Sequence, residues 1–218
     1  VKRDPEALIA AARVPESLAE QEHGIWAIRR RWTEPWEASW SDCLRFTALT
    51  RWTETTLHSA WGEVVMEDTP RELRRHLPIW MSARGRVLVT GLGLGCVVRG
   101  LLACREVEHV DVVELDPWIA STVGREFAAD TRVSIIVADA LDDGWRPAGV
   151  RWQFAWHDLW LEEGSLAFLH LRLIASLHHR VDVQGAWGWP MEIRRLMPRE
   201  VIGLGLPRRR VARPGVSA

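Results

Sequence analysis

Arg86-Val87-Leu88-Val89-Thr90-Gly91-Leu92-Gly93-Leu94-Gly95-Cys96-Val97-Val98 is the stretch that decides the fold. Its apolar run (Val87, Leu88, Val89) predicts a buried strand that empties into alternating glycines, with an apolar helix to about Cys104 directly after. Glycines at such a turn let backbone N–H groups and a helix N-terminus approach a ligand that a Cβ would hold away. His109-Val110-Asp111-Val112-Val113-Glu114 predicts a second strand with a carboxylate at its tip. Glu114 follows Gly91 by about 20 residues, the spacing at which a carboxylate can accept from both hydroxyls of a ribose. The pattern implies a ligand that contains a nucleoside.

Outward from this run the chain alternates. Strands are expected at 86–90, 109–114, 132–137, 152–157 and 183–188, and helices at 95–104, 117–128 and 163–180. Such alternation predicts an α/β fold: an open, mostly parallel, Rossmann-like sheet with helices on both faces. Residues 1–83 read as an N-terminal helical and β appendage, 84–190 as the ligand-binding domain, and 191–218 as a C-terminal extension with a basic tail. Within the appendage the spacing predicts helix over 4–30, broken at Pro15, strands at 43–49 and 62–66, and a helix over 70–83.

Composition narrows the classes of function. The 218 residues suffice for one well-buried domain plus an appendage. The chain has 14 Trp and no Tyr, and Lys2 is its sole lysine among 28 basic residues, which fits GC-rich coding. Arginine abundance therefore carries little functional weight. A net charge of −1 supplies no global field to attract nucleic acid or an anionic membrane. No apolar run approaches the roughly 20 residues that span a bilayer. Cys43, Cys96 and Cys104 are scattered without metal-ligand spacing, so no metal site is expected and a reduced, cytoplasmic setting is. The composition leaves room for a homo-oligomer.

In open α/β sheets ligands gather outside the carboxyl ends of the strands, so four strand ends carry the chemistry. The first offers Gly91, Leu92, Gly93 and Gly95; the second offers Glu114 and Leu115. The third, Ile135-Ile136-Val137-Ala138-Asp139-Ala140, places Asp139 to accept from an adenine amino group while Leu115 packs on the ring. The fourth, Trp152 to Trp160, ends in His157-Asp158 flanked by Trp156 and Trp160. Adjacent residues of a strand face opposite sides, so one of His157 and Asp158 reaches a pocket; Asp158 is the choice.

These motifs in this order resemble the class I S-adenosylmethionine-dependent methyltransferase fold, and most closely its spermidine-synthase-like branch. Val87 to Gly95, Val113 to Asp116 and Ala138 to Ala140 carry the resemblance, which covers about residues 60–190. It implies S-adenosylmethionine as cofactor, with Gly91, Leu92, Gly93 and Gly95 near its amino acid portion, Glu114 and Leu115 at its ribose and adenine, and Asp139 and Ala140 at its adenine. It also implies that Asp158, with His157 as a second candidate, orients or deprotonates the substrate. Trp156 and Trp160 would wall the substrate side, since an indole face attracts cations. Leu94 stands where spermidine synthases carry an Asp, and Leu159-Trp160 where they carry a further acid. Both changes remove negative charge that a polyamine needs. A methyltransferase acting on a small-molecule nitrogen or oxygen nucleophile is therefore the first expectation. An aminopropyltransferase and a non-catalytic cofactor-binding or structural protein are the alternatives.

Two rival readings compete. A nicotinamide-binding domain would want its third glycine where Cys96 stands. Nucleic-acid binding through Arg29-Arg30-Arg31 and Arg208-Arg209-Arg210, with Trp32 as a stacking platform, runs against the neutral overall charge. The bland reading of Trp156 is a core aromatic, and that of His157 a ring packed under a helix.

Overall fold

Alternation along one strand sets the layers. In β5 (Gly85–Thr90) Val87 and Val89 enter one hydrophobic core and Leu88 the other. The computed structural model describes residues 3–32, 45–52, 63–159 and 166–187. Strand β5 is central: β6 (Val107–Glu114) flanks it on one side and β8 (Trp152–His157) on the other. Beyond them lie β7 (Val133–Val137) and β9 (Val181–Ala186), giving a parallel sheet of order β7-β6-β5-β8-β9. The chain builds outward from β5 through β6 and β7, then returns across it to lay down β8 and β9. The reversal falls between β5 and β8, where open α/β sheets leave a crevice for ligands.

Helices cover both faces, as the alternation predicts. On one face Val87 and Val89 pack with Val97, Val98 and Leu101 of α4 (Cys96–Leu102). The same core takes in Ile79 and Trp80 of α3 (Leu77–Ser82) and Leu8, Ile9 and Ala12 of α1 (Pro5–Ala12). Trp80 is wholly buried, and its Nε1 donates to the Val97 carbonyl at 3.1 Å. On the other face Leu88, Val113 and Ala155 meet Leu173 and Leu177 of α6 (Leu166–Leu177). Short α5 (Pro117–Thr122), continued by a 3₁₀ turn at Gly124–Phe127, follows β6. Its cap is Asp116, whose carboxylate accepts from the Trp118 and Ile119 N–H groups.

The N-terminal region departs from expectation. Helix α1 stops at Ala12, and residues expected to continue it form β1 (Gln21–His23) and β2 (Trp26–Trp32). With β3 (Arg45–Arg51) and β4 (Glu63–Glu67) they make an antiparallel sheet of order β1-β2-β3-β4. The helical spacing that includes Ile25 is misleading, because Ile25 lies 50% exposed beside Gly24, the positive-φ residue that turns β1 into β2. Cross-strand pairing with β3 buries Ala27 and Ile28 instead, a tertiary reward that local propensity does not contain. Helix is interrupted again at 75–76, dividing the expected 70–83 element into α2 (Pro70–Arg74) and α3. The fifth strand expected at 183–188 begins and ends two residues earlier.

Asp68 ties these pieces together. Its carboxylate is fully buried and accepts from Arg13 Nε at 3.0 Å, Val14 N at 2.9 Å and Thr47 N at 2.5 Å. It thereby fastens the end of α1, strand β3 and the approach to α2. The arginines of β2 are likewise engaged with protein: Arg29 pairs with Glu22 at 2.7 Å, and Arg30 donates to Thr47 Oγ1 and to the Pro15 and Leu18 carbonyls. No described helix is long and apolar enough to cross a membrane. Cys43 and the tail with Arg208-Arg209-Arg210 lie outside the described residues.

Candidate functional site

The exits of four neighbouring strands are level. Thr90 is in register with Val113 on one side and His157 on the other, and Glu114 with Val137. Backbone bonds just beyond keep them so: Gly91 N donates to Val113 O at 2.8 Å, Ala138 N to Glu114 O at 3.0 Å, and Asp158 N to Thr90 O at 2.8 Å. Gly91, Glu114, Asp139 and Asp158 therefore leave the sheet along one edge, with Gly91 and Asp158 at the reversal of strand order.

The glycine turn is shaped by contacts within the protein. Gly91, Gly93 and Gly95 all have positive φ (89°, 51° and 77°), which side-chain-bearing residues rarely adopt. A Cβ on Gly91 would lie 2.0 Å from the Asp158 carbonyl oxygen, so this glycine lets the backbones just past β5 and β8 approach closely. A Cβ on Gly93 would meet Met66 Sδ at 2.6 Å, and the same sulfur accepts the Leu94 N–H at 3.2 Å. Gly95 abuts the Phe127 ring.

Glu114 holds the turn from the next strand. Its Oε2 accepts the Leu92 N–H at 2.7 Å and its Oε1 the Asp116 N–H at 2.8 Å. Burial pushes its pKa up, against the pull of these N–H groups. The Gly93 N–H also bears on it, and the acceptor capacity left on the carboxylate is what a ribose diol would use. Beside it Leu115 is 67% exposed, and Val137 at the next tip is 54% exposed. A flat apolar ligand would cover both. Asp139 is exposed and closes a local turn by accepting the Leu141 N–H at 2.8 Å. Two residues of the expected set turn their side chains into the protein. Leu92 sends its side chain into the first core, and Ala140 is packed in the second with its carbonyl on Trp145 Nε1.

Asp158 stands at the fourth tip. Its Oδ2 is sealed from solvent and has no hydrogen-bond partner among the described residues. Burial, reinforced by the charges of Glu72 and Glu114, pushes its pKa up to about 7. His157 corrects the sequence expectation. Its ring is fully buried on the α6 side, with Nδ1 at 3.0 Å from Thr90 Oγ1 and Nε2 at 3.0 Å from Gln184 Oε1. Burial lowers its pKa to about 4, so it is a neutral packing residue with both nitrogens engaged. Trp156 is also core: it is 2% exposed and meets His76 edge to face at 5.9 Å. Trp160 lies outside the described residues. Among those residues no cluster of His, Cys, Asp or Glu could hold a metal.

Three residues near the edge escaped the sequence reading: Met66, Glu72 and Trp187. Glu72 Oε1 accepts from Trp187 Nε1 at 2.8 Å across most of the domain's length, a contact no local motif announces. The buried imidazoles have a measurable consequence. His76, His157 and His170 are each lowered to about 4 by burial. Between about pH 4 and 6.5 the unfolded chain therefore binds protons that these three do not, and stability rises with pH. Asp158 and Glu114, raised in the folded state, oppose this with fewer groups. Urea unfolding across that window should show increasing midpoints; a flat or falling series contradicts the buried neutral histidines.

No protein-family model matches the chain. A polyamine aminopropyltransferase of Agathobacter rectalis is 33% identical over 91 residues, covering 37% of this chain. The chain spans about a third of that relative's length (32%). Among solved structures, the N-methyltransferase NodS from Bradyrhizobium japonicum WM9 overlaps 53% of this chain and 65% of its own, with 14% identity and a TM-score of 0.43. The CcbJ methyltransferase from Streptomyces caelestis overlaps 49% of this chain and 44% of its own, with 18% identity and a TM-score of 0.37.

Proposed function

We propose that this chain binds S-adenosylmethionine along the edge formed by β5, β6, β7 and β8 and transfers its methyl group to a nitrogen or oxygen of a small molecule. The observation that carries the reading is the level exit of Gly91, Glu114, Asp139 and Asp158 at the reversal of strand order. The residues present fit the group. Glu114 has acceptor capacity for the ribose hydroxyls, exposed Leu115 offers a surface for the adenine, and exposed Asp139 can accept from its amino group.

When bound, S-adenosylmethionine supplies a methyl carbon activated by the adjoining sulfonium. Asp158 orients the substrate and takes the proton released as its nitrogen or oxygen forms the new bond. The chain contributes mainly by aligning the two reactants and keeping water from Asp158. A base works in its ionised form, so turnover should rise with pH through about 7, where Asp158 titrates. Asp158→Asn should lower kcat/KM by about two to four orders of magnitude and abolish that rise. We place residues 1–83 as a cover over the edge, residues 84–190 as the binding domain and 191–218 as an extension. The partner is a small molecule, with no role for nucleic acid or membrane, and the setting is cytoplasmic.

A second reading is aminopropyl transfer. It is favoured by the carboxylates of Glu72 and Glu114 near Asp158 and by the partial likeness to a polyamine aminopropyltransferase. Calorimetric titration with S-adenosylmethionine, its demethylated product and its decarboxylated form separates the two. Methyl transfer predicts binding of the first two. A marked preference for the decarboxylated form supports aminopropyl transfer, and binding without turnover over an amine and alcohol panel supports a non-catalytic role. Failure to bind any of the three overturns the proposal.

A further inference from the structure

We propose that Glu72 is a positioning residue for Asp158: bonded to Trp187, whose backbone is tied to the end of β8, it holds a carboxylate beside the fourth strand tip. The inference rests on the reading of Asp158 as proton acceptor.

The geometry is a closed ring of contacts. The backbone N–H of Trp187 donates to the carbonyl of His157, the residue before Asp158, at 2.9 Å. Its indole Nε1 donates to Glu72 Oε1 at 2.8 Å. Glu72 Oε2 pairs with Arg75 at 3.0 Å, and the Arg75 guanidinium lies over the Trp187 ring at 5.7 Å. Helix α2 is thereby held against the ends of β8 and β9, with the Glu72 carboxylate two hydrogen bonds from the residue before Asp158. The two partners of the ion pair are not equivalent, because the Glu72 side chain is 16% exposed and that of Arg75 50%. Water screens the cation more than the anion, so the pair leaves a negative bias at Asp158.

The other groups around Asp158 reinforce this. Glu114 approaches from β6 and bears on the same carboxyl. His76, between α2 and α3, is held neutral by burial. Cys96 of α4 is a buried thiol pushed up to about 12, and His157 on the same strand is neutral on the opposite face. Glu72 is thus the adjustable charge, and Arg75 the cation that opposes it.

The test is a carboxyl carbon-13 NMR titration of protein labelled in its Asp and Glu side chains, with the Asp158 signal assigned by its loss in Asp158→Asn. The wild-type midpoint should lie at about 7. Glu72→Gln should lower it by about 0.5 or more, a roughly threefold change in acid dissociation constant, and Arg75→Gln should raise it. Loosening of α2 alone would move both variants the same way, so unchanged or like-signed shifts overturn the proposal. Trp187→Phe, which keeps the ring but removes the donor, should also lower the midpoint and serves if Glu72→Gln does not fold; an unmoved midpoint there overturns it equally. Titration of the same samples with S-adenosylmethionine distinguishes the two levels. Absent binding to wild type defeats the proposed function while the NMR shifts still report on Glu72, and retained binding with an unmoved midpoint defeats Glu72 alone.

Discussion

Replacing Glu114 by Ala will weaken S-adenosylmethionine binding by about two to four orders of magnitude. The estimate follows from two hydrogen bonds between a buried carboxylate and ribose hydroxyls, each worth roughly 1.5–3 kcal/mol, with tenfold in affinity per about 1.4 kcal/mol. The same substitution leaves the Leu92 and Asp116 N–H groups without their acceptors, so the glycine turn itself loosens. Glu114→Gln separates the effects, because its amide oxygen keeps one acceptor while the charge is gone; it should fall between wild type and Ala. Calorimetry on variants shown by circular dichroism to be folded reads both. An affinity for Glu114→Ala within twofold of wild type would remove Glu114 from the binding site.

The largest expected effect on stability belongs to Asp68. Asp68→Ala removes the acceptor of Arg13 Nε and of the Val14 and Thr47 N–H groups at a fully buried position. Leaving the buried Val14 and Thr47 N–H groups without their acceptor costs about 1–3 kcal/mol each, while Arg13, 32% exposed, keeps the Arg45 carbonyl. Asp68→Asn keeps the shape but turns an amide N–H₂ toward a donor, and should recover only part of the loss. Urea unfolding with an unchanged slope measures both. A loss under about 1 kcal/mol for Asp68→Ala would mean that this carboxylate does not fasten the N-terminal sheet to the rest of the chain.

The two predictions fall on opposite sides of what a sequence can reveal. The place of Glu114 at a strand tip was legible because β5 and β6 are central parallel strands whose buried Val87-Leu88-Val89 and Val112-Val113 segments make their ends visible. The position of Asp139 and Asp158 at the strand tips was legible by the same logic, as the acids that follow Val137-Ala138 and His157. The choice between His157 and Asp158 also followed from pleating, which sends neighbours to opposite faces. Leu92 and Ala140 were assigned to the ligand because a motif marks a segment, whereas burial marks side chains one at a time.

The N-terminal half was harder to read for a physical reason. β2 carries three arginines in succession and, among its described side chains, only Ala27 and Ile28 are fully buried, so its strand character comes from pairing with β3 further along the chain. Non-local pairing leaves little local trace. Asp68, Met66, Glu72 and Trp187 share that property. Each acts through a partner distant in sequence, and no spacing rule joins them.

The central claim is that the tips of β5, β6 and β7 hold one adenosyl group, with its sulfur turned toward Asp158. The most direct measurement is a crystal structure of the chain with S-adenosylhomocysteine. The account predicts ribose hydroxyls within hydrogen-bonding distance of Glu114, the adenine against Leu115 and near Asp139, and the sulfur on the Asp158 side of Gly91. A ligand bound at any other edge, or one whose ribose lies away from Glu114, would contradict it.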